Sequence, residues 1–192
     1  IKKLDPRTGV YSNFKGVDGA PTSEKNEFDK LVTDLIHYME MDGRRVKYEG
    51  EIDDAGNIQG VGKMFFANGT VYTGNFSDNQ FSGFGKLLFS MGGVYEGYFS
   101  QNSMEGEGRF IYGNGDVYVG SFSTNQRHGR GKFSLANGDM YEGQFSFDRI
   151  NGSGEMLYVN GNRYIGLFSD DLPHGFGRLM YANGDVFEGT FV

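Results

Sequence analysis

The sequence predicts a mostly β protein: an elongated antiparallel meander sheet of repeated β-hairpins, with one α-helix near the N-terminus. Three observations carry that expectation. The 192 residues include 32 Gly, 18 Phe and 12 Tyr but only 3 Pro, a composition that disfavours helical bundles, because Gly costs about 1 kcal/mol per helix position. A block of about 23 residues recurs from Tyr48 to the end of the chain. Within each block, apolar and polar residues alternate with the period of two that marks strands.

The block is anchored by an aromatic residue two places before a glycine: Tyr48 and Gly50, Tyr72 and Gly74, Tyr95 and Gly97, Tyr118 and Gly120, Tyr141 and Gly143, Tyr164 and Gly166, Phe187 and Gly189. Each complete block then carries Gly-x-Gly, as at Gly83 and Gly85 or Gly129 and Gly131. Five blocks close on Asn-Gly (Asn68-Gly69, Asn114-Gly115, Asn137-Gly138, Asn160-Gly161, Asn183-Gly184), and the second has Met91-Gly92 there. The first block is one residue longer, between Ile52 and Gly60. Tyr72, Gly74 and Phe76 share one face, which Gly83, Gly85, Leu87 and Phe89 continue. The opposite face has Lys63, Lys86, Arg109, Lys132, Glu155 and Arg178 at its centre, as expected of a sheet wet on one side. The glycines are expected in the apolar face, leaving room for rings from neighbouring strands. A three-residue loop with a left-handed Gly fits Asn-Gly better than a two-residue turn, which would swap the faces.

These motifs, in register six times and begun a seventh, resemble the MORN (membrane occupation and recognition nexus) family over residues 48–192. The family often has Trp where this chain has Phe76, Phe99, Phe122, Phe145 and Phe168; Ile52 at that place marks an atypical end repeat. The resemblance implies hairpins added edge to edge. It also implies a non-catalytic adaptor for protein partners in cytoskeletal, ciliary, axonemal or organelle assemblies, and hence a cytoplasmic setting. A membrane-associated tether and the regulatory module of a larger enzyme, a lipid kinase or a lysine methyltransferase, are its alternatives.

Residues 1–47 form the other unit. Positions 1–22 read as an irregular arm. From Ser23, Phe28, Leu31, Val32, Leu35, Ile36 and Met39 recur at helical spacing. Thr22 or Ser23 caps the start and Gly43 ends the segment, which predicts a helix over about 24–41. Its last part, from Ile36, also echoes the second strand of a repeat.

Residues 48–192 carry a net charge of −8 and residues 1–47 a net of +1. An acidic body repels phosphate backbones, so nucleic acid is not expected as a partner; membrane contact stays open but is not favoured. There is no Cys, and no run of apolar residues approaches the length of a membrane span. The chain begins at Ile1 and not at Met, which reads as a fragment or a processed form, and it stops one strand into a seventh block. Gly-x-Gly recurs inside strands with no helix after it, unlike a nucleotide loop. His128 and His174 occupy one repeat position and read as loop residues, and His37 as a helix-surface residue. Asp116, Asp139 and Asp185 follow Asn-Gly as turn residues, and each loop offers too few oxygens for calcium. Arg127, Arg130 and Lys132 form a basic cluster read as solvated or as a protein contact. No catalytic set, cofactor or metal is expected.

A single sheet leaves its apolar face without a lid, so a cover is expected. The helix is expected to lie across it through the six apolar residues named above. Protein partners or a second copy are expected on the remainder, at Tyr118, Phe122, Phe133, Leu135, Tyr141, Phe145, Met156, Tyr158, Tyr164, Phe168, Leu179 and Tyr181.

Overall fold

Alternating residues and regularly spaced turn signals give strands that pair with their sequence neighbours, and the structure, a computed structural model, is built that way throughout residues 47–192, which it describes. The strands are β1 (Lys47–Ile52), β2 (Ile58–Phe65), β3 (Val71–Ser77), β4 (Gln80–Leu88), β5 (Gly93–Ser100), β6 (Ser103–Tyr112), β7 (Val117–Ser123), β8 (Gln126–Ser134), β9 (Met140–Ser146), β10 (Arg149–Leu157), β11 (Arg163–Ser169), β12 (Leu172–Met180) and β13 (Val186–Phe191). They make one antiparallel sheet in strictly sequential order. At about 4.8 Å per strand the row spans roughly 58 Å. The described residues contain no helix. The helix expected over 24–41 lies outside them, as do Phe28, Leu31, Val32, Leu35, Ile36 and Met39.

Two kinds of turn alternate. The Asn-Gly turns are the expected three-residue loops: Gly69 N–H donates to the Phe66 carbonyl and Phe66 N–H to that of Thr70, both at 2.9 Å. Gly69 has φ +90°, which glycine adopts without penalty. Met91-Gly92 folds the same way, with Gly92 N–H on the Phe89 carbonyl at 3.1 Å. The aspartates after these turns tie repeats together. Asp116 Oδ1 accepts from Ala136 N–H at 2.7 Å, and Asp139 Oδ1 from Val159 N–H at 2.8 Å.

The other turns contain two residues with both φ positive, the type I′ geometry that matches strand twist. Gln101 and Asn102 have φ +48° and +67°, and Thr124 and Asn125 have +49° and +65°. The second residue is always Asn or Asp, whose short polar side chain tolerates this region. Its oxygen reaches one repeat back: Phe81 N–H donates to Asn102 Oδ1 at 2.8 Å, and Met104 N–H to Asn125 Oδ1 at 2.7 Å. The first repeat instead uses a three-residue loop closed by Gly56 N–H on the Asp53 carbonyl at 2.9 Å, which accounts for its extra residue.

The two glycines of Gly-x-Gly have different roles, where the sequence suggested one. The first sits at a bulge: the β3–β4 register slips after Gly74, and Gly83 takes φ +58°. The second lies in the apolar face. Gly50, Gly62, Gly74, Gly85, Gly97, Gly108, Gly120, Gly131, Gly143, Gly154, Gly166, Gly177 and Gly189 stand opposite one another across every strand pair. This side-chain-free channel holds the tyrosine rings. A Cβ at Gly108 would lie 2.5 Å from the Tyr95 ring. Gly131→Val is therefore expected to lower stability by about 1–3 kcal/mol or more through overpacking. Thr73→Val, exposed on the opposite face, is expected to stay within about 0.5 kcal/mol. Denaturant midpoints check this, and equal losses at the two positions would contradict the ring-over-glycine packing.

The helix expected as a lid lies outside the described residues. The rings bury one another. Tyr118 meets Phe122 and Phe145 edge-on at 5.1 and 5.0 Å, and Tyr141 meets Phe145 and Phe168 at 5.2 and 5.1 Å. Each tyrosine is thus enclosed by the phenylalanines of its own and the next repeat. Tyr72, Tyr95, Tyr118, Tyr141 and Tyr164 are 0% exposed. Their hydroxyls stay satisfied by donating to the carbonyl three residues on, as Tyr95 does to Tyr98 at 2.9 Å.

Candidate functional site

The twelve aromatic-face residues expected to meet a partner form one contiguous array. Tyr118, Phe122, Phe133, Leu135, Tyr141, Phe145, Met156, Tyr164, Phe168 and Leu179 are buried in it, and Tyr158 and Tyr181 are half-buried at its rim. A buried ring has no surface left to give a partner. Free apolar surface lies on the other side of the sheet.

That outer face carries three parallel rows. Along its middle, opposed residues alternate in charge: Lys86 stands opposite Glu96, Glu96 opposite Arg109, Lys132 opposite Glu142 and Arg178 opposite Glu188. Such exposed pairs contribute about 0–1 kcal/mol each. Glu155 breaks the pattern, because it faces Glu142. Arg163 compensates, donating from Nε and Nη2 to the Glu155 carboxylate at 2.6 and 3.0 Å. This contact holds the Glu155 carboxyl below its ordinary range.

Beside the charges runs an apolar row. Phe65, Val71, Leu88, Val94, Ile111 and Val117 are successive partners, and Met140, Leu157, Met180 and Val186 continue it, interrupted by Ser134 and Arg163. Alternation within one repeat does not single out this row. A signal was present: on most odd strands, the residue just before the anchoring aromatic is itself apolar.

The third row holds Val61, Phe84, Tyr98, Leu167 and Phe176, all exposed. From β6 to β12 the outer face is hollowed into a groove of about 730 Å³. Val119, Ile165, Leu167 and Phe176 give it apolar surface; Glu107, Arg130, Lys132, Glu142 and Glu155 give it charge. Phe176 is 62% exposed.

The basic cluster expected at Arg127, Arg130 and Lys132 is divided between the two faces. Arg130 and Lys132 line the groove. Arg127, which stands where other repeats have Phe81, Met104 and Ile150, points into the aromatic array and is 6% exposed. Its Nε lies 3.2 Å from Asp148 Oδ1, and its Nη2 donates to the Asp148 carbonyl at 2.6 Å. Its guanidinium lies 4.7 Å from the Phe133 ring centre and 5.3 Å from that of Phe145, where cation–π attraction adds to the ion pair.

His128 and His174 lie in strands β8 and β12, not in loops. The His128 ring packs 5.1 Å from Phe147, and its Nδ1 is buried without a hydrogen-bond partner among the described residues. Phe147 sits at φ +48° in the β9–β10 turn, where the corresponding turns have Asp78, Gln101, Thr124 and Asp170. Among the described residues, no group of three or more His, Cys, Asp or Glu could hold a metal ion. Nor is any described helix long and apolar enough to cross a membrane.

Solved structures to which the chain is similar include a Drosophila melanogaster SAS-4 (dCPAP) TCP domain in complex with a proline-rich motif of Ana2. It has 15% identity and a TM-score of 0.45, covering 73% of this chain and 76% of that one. Another is the Danio rerio CPAP TCP10 domain in complex with a STIL peptide, with 14% identity and a TM-score of 0.38, covering 75% and 84%. Among curated proteins, none matches the chain. The MORN repeat family matches at 48–71, 72–94, 95–117, 118–140, 141–163 and 164–186, segments that correspond to successive hairpin units of the sheet. The chain belongs to the MORN-repeat family.

Proposed function

We propose that this chain is a non-catalytic scaffold that binds protein partners on the outer face of its sheet. The observation that carries the reading is the groove over β6–β12, where Ile165, Leu167 and Phe176 remain exposed between charged residues. An exposed aromatic anchor with a polar surround is the usual composition of a protein-binding hot spot. The inner face uses its rings for its own core, and the repeats multiply one structural unit instead of building one pocket. Family membership supports an adaptor role in a cytoskeletal or ciliary assembly. The net charge of −8 over residues 48–192 disfavours a membrane tether.

The test is selection of a displayed random-peptide library on the chain, followed by affinity measurement on the Ile165→Asp and Phe176→Asp variants. The expected result is selected peptides whose binding falls at least tenfold with either substitution. Peptides that bind both variants undiminished would place recognition elsewhere. Flotation with vesicles containing anionic lipid separates the tether reading, for which binding without any protein partner is the expected result.

A further inference from the structure

The five Asn-Gly loops repeat one backbone, so their asparagines differ only in what holds the side chain. Gly69, Gly115, Gly138, Gly161 and Gly184 take φ between +85° and +96°. Each glycine N–H donates to the carbonyl three residues back at 2.8–3.0 Å. Each asparagine is exposed, and its Oδ1 accepts from the N–H two residues on at 2.9 or 3.0 Å. In three loops the residue after glycine is aspartate, which takes the other end of the carboxamide. Asn114 Nδ2 donates to Asp116 Oδ2 at 3.0 Å, Asn137 Nδ2 to Asp139 Oδ2 at 2.9 Å and Asn183 Nδ2 to Asp185 Oδ2 at 2.7 Å. The other two loops have Thr70 and Asn162 there. Asn162 Oδ1 accepts from Ala182 N–H at 3.1 Å, and its remaining polar atom, Nδ2, can only donate. Thr70 has no carboxylate to offer. The Nδ2 atoms of Asn68 and Asn160 have no acceptor among the described residues.

We infer that Asn68 and Asn160 are sites of non-enzymatic modification, converting to aspartate and isoaspartate through a succinimide, while Asn114, Asn137 and Asn183 are held back by their aspartates. Asparagine is thermolabile for this reason, and a following glycine puts no side chain in the way of the attack. At Asn160, Gly161 N gives its proton to solvent base and attacks Cγ. An N–C bond forms, the Cγ–Nδ2 bond breaks, and the amide nitrogen leaves as ammonia. Water then opens the imide at either carbonyl, giving aspartate or isoaspartate, with no oxidant or cofactor. To present Cγ to the glycine nitrogen, the carboxamide must turn out of the bonds that hold it. At Asn137 that includes a bond to a carboxylate, and charge-assisted bonds are the stronger kind. At Asn68 and Asn160 this second bond is absent. Isoaspartate adds one backbone carbon to a loop closed by Tyr158 N–H on the Asn162 carbonyl at 2.9 Å, and either product adds a negative charge. A sixth pair, Asn151-Gly152, lies inside β10 with Gly152 opposite Phe168, a different backbone from the loops. The inference is independent of the scaffold reading.

The test is incubation of the full chain at neutral pH, with peptide mapping by mass spectrometry to follow the amide-to-acid mass gain at each loop. Asn68 and Asn160 are expected to convert at about fivefold or more the rate of Asn114, Asn137 and Asn183. A reciprocal exchange isolates the cause. Asn162→Asp keeps Oδ1 for Ala182 N–H and supplies Oδ2 to Asn160 Nδ2, so Asn160 is expected to slow to the rate of Asn137. Asp139→Asn keeps Oδ1 for Val159 N–H, bonded at 2.8 Å in the native chain, and removes the acceptor of Asn137 Nδ2, so Asn137 is expected to speed up to the rate of Asn160. In guanidinium chloride, with the sheet unfolded, the five rates are expected to converge. Equal rates in the folded chain, rates unmoved by the exchange, or an order that persists after unfolding would each overturn the inference.

Discussion

Asp148→Asn is expected to be among the most destabilising single changes in the sheet, although Asn is what the preceding turns carry. It leaves the turn at φ +66° and keeps an oxygen for Arg127 N–H, bonded at 2.9 Å in the native chain. It removes the carboxylate charge that faces the guanidinium at 3.2 Å. Removing one member of a buried pair typically costs about 3–5 kcal/mol, because the other charge stays behind unpaired. In a domain of this size that is roughly 6–20 °C in melting temperature. The double variant Arg127→Met with Asp148→Asn is expected to recover stability to at least the native level. It rebuilds a combination the chain already uses one repeat earlier, where Met104 N–H donates to Asn125 Oδ1 at 2.7 Å. Thermal or denaturant unfolding of the two variants checks this. A double variant as unstable as the single one would mean that packing, and not the charge, sets the cost.

Alkaline unfolding is the second large effect. Burial pushes the Tyr72, Tyr95, Tyr118 and Tyr141 phenols well above their ordinary value of 10.0. It pushes Tyr164 up to about 12. The folded chain therefore holds phenolic protons that the unfolded chain releases near pH 10. Stability is fully present below about pH 10 and falls as pH rises towards the folded values. Each fully shifted tyrosine contributes about 1.4 kcal/mol per pH unit. Four together remove at most about 5–6 kcal/mol in the first unit, much of a typical domain's stability of about 5–15 kcal/mol. Phenolate absorbance and circular dichroism followed together from pH 9 upwards are expected to change in one cooperative transition. Phenolates forming near pH 10 with the sheet intact would show that the rings are open to solvent.

Most of the strand plan was legible in the residues. Tyr72, Gly74 and Phe76 on one face and Thr73 and Asn75 on the other fix a strand, because side chains alternate with period two. Asn68-Gly69 fixes a three-residue loop, because left-handed backbone and glycine go together. These are local properties, and a single unit displays them. The type I′ turns were less visible, since Gln101-Asn102 contains no glycine. The positive φ there is held by Asn102 Oδ1 receiving Phe81 N–H, from a residue 21 positions away.

The sequence by itself determined the repeat, the strands, the Asn-Gly turns and the family. Only the tertiary structure decided which face is closed. An isolated hairpin exposes its aromatic side, and alternation alone therefore calls for a cover on that face. In the assembled sheet, Tyr118 lies over the glycine channel and meets Phe145 of the next repeat at 5.0 Å. The rings are thereby consumed as core by contacts that exist only between hairpins. The same stacking sends Arg127 inward to Asp148 while Arg130 and Lys132 stay on the outer face, although the three are near neighbours in sequence. Burial depends on what the neighbouring repeat supplies, and alternation within one strand does not specify that.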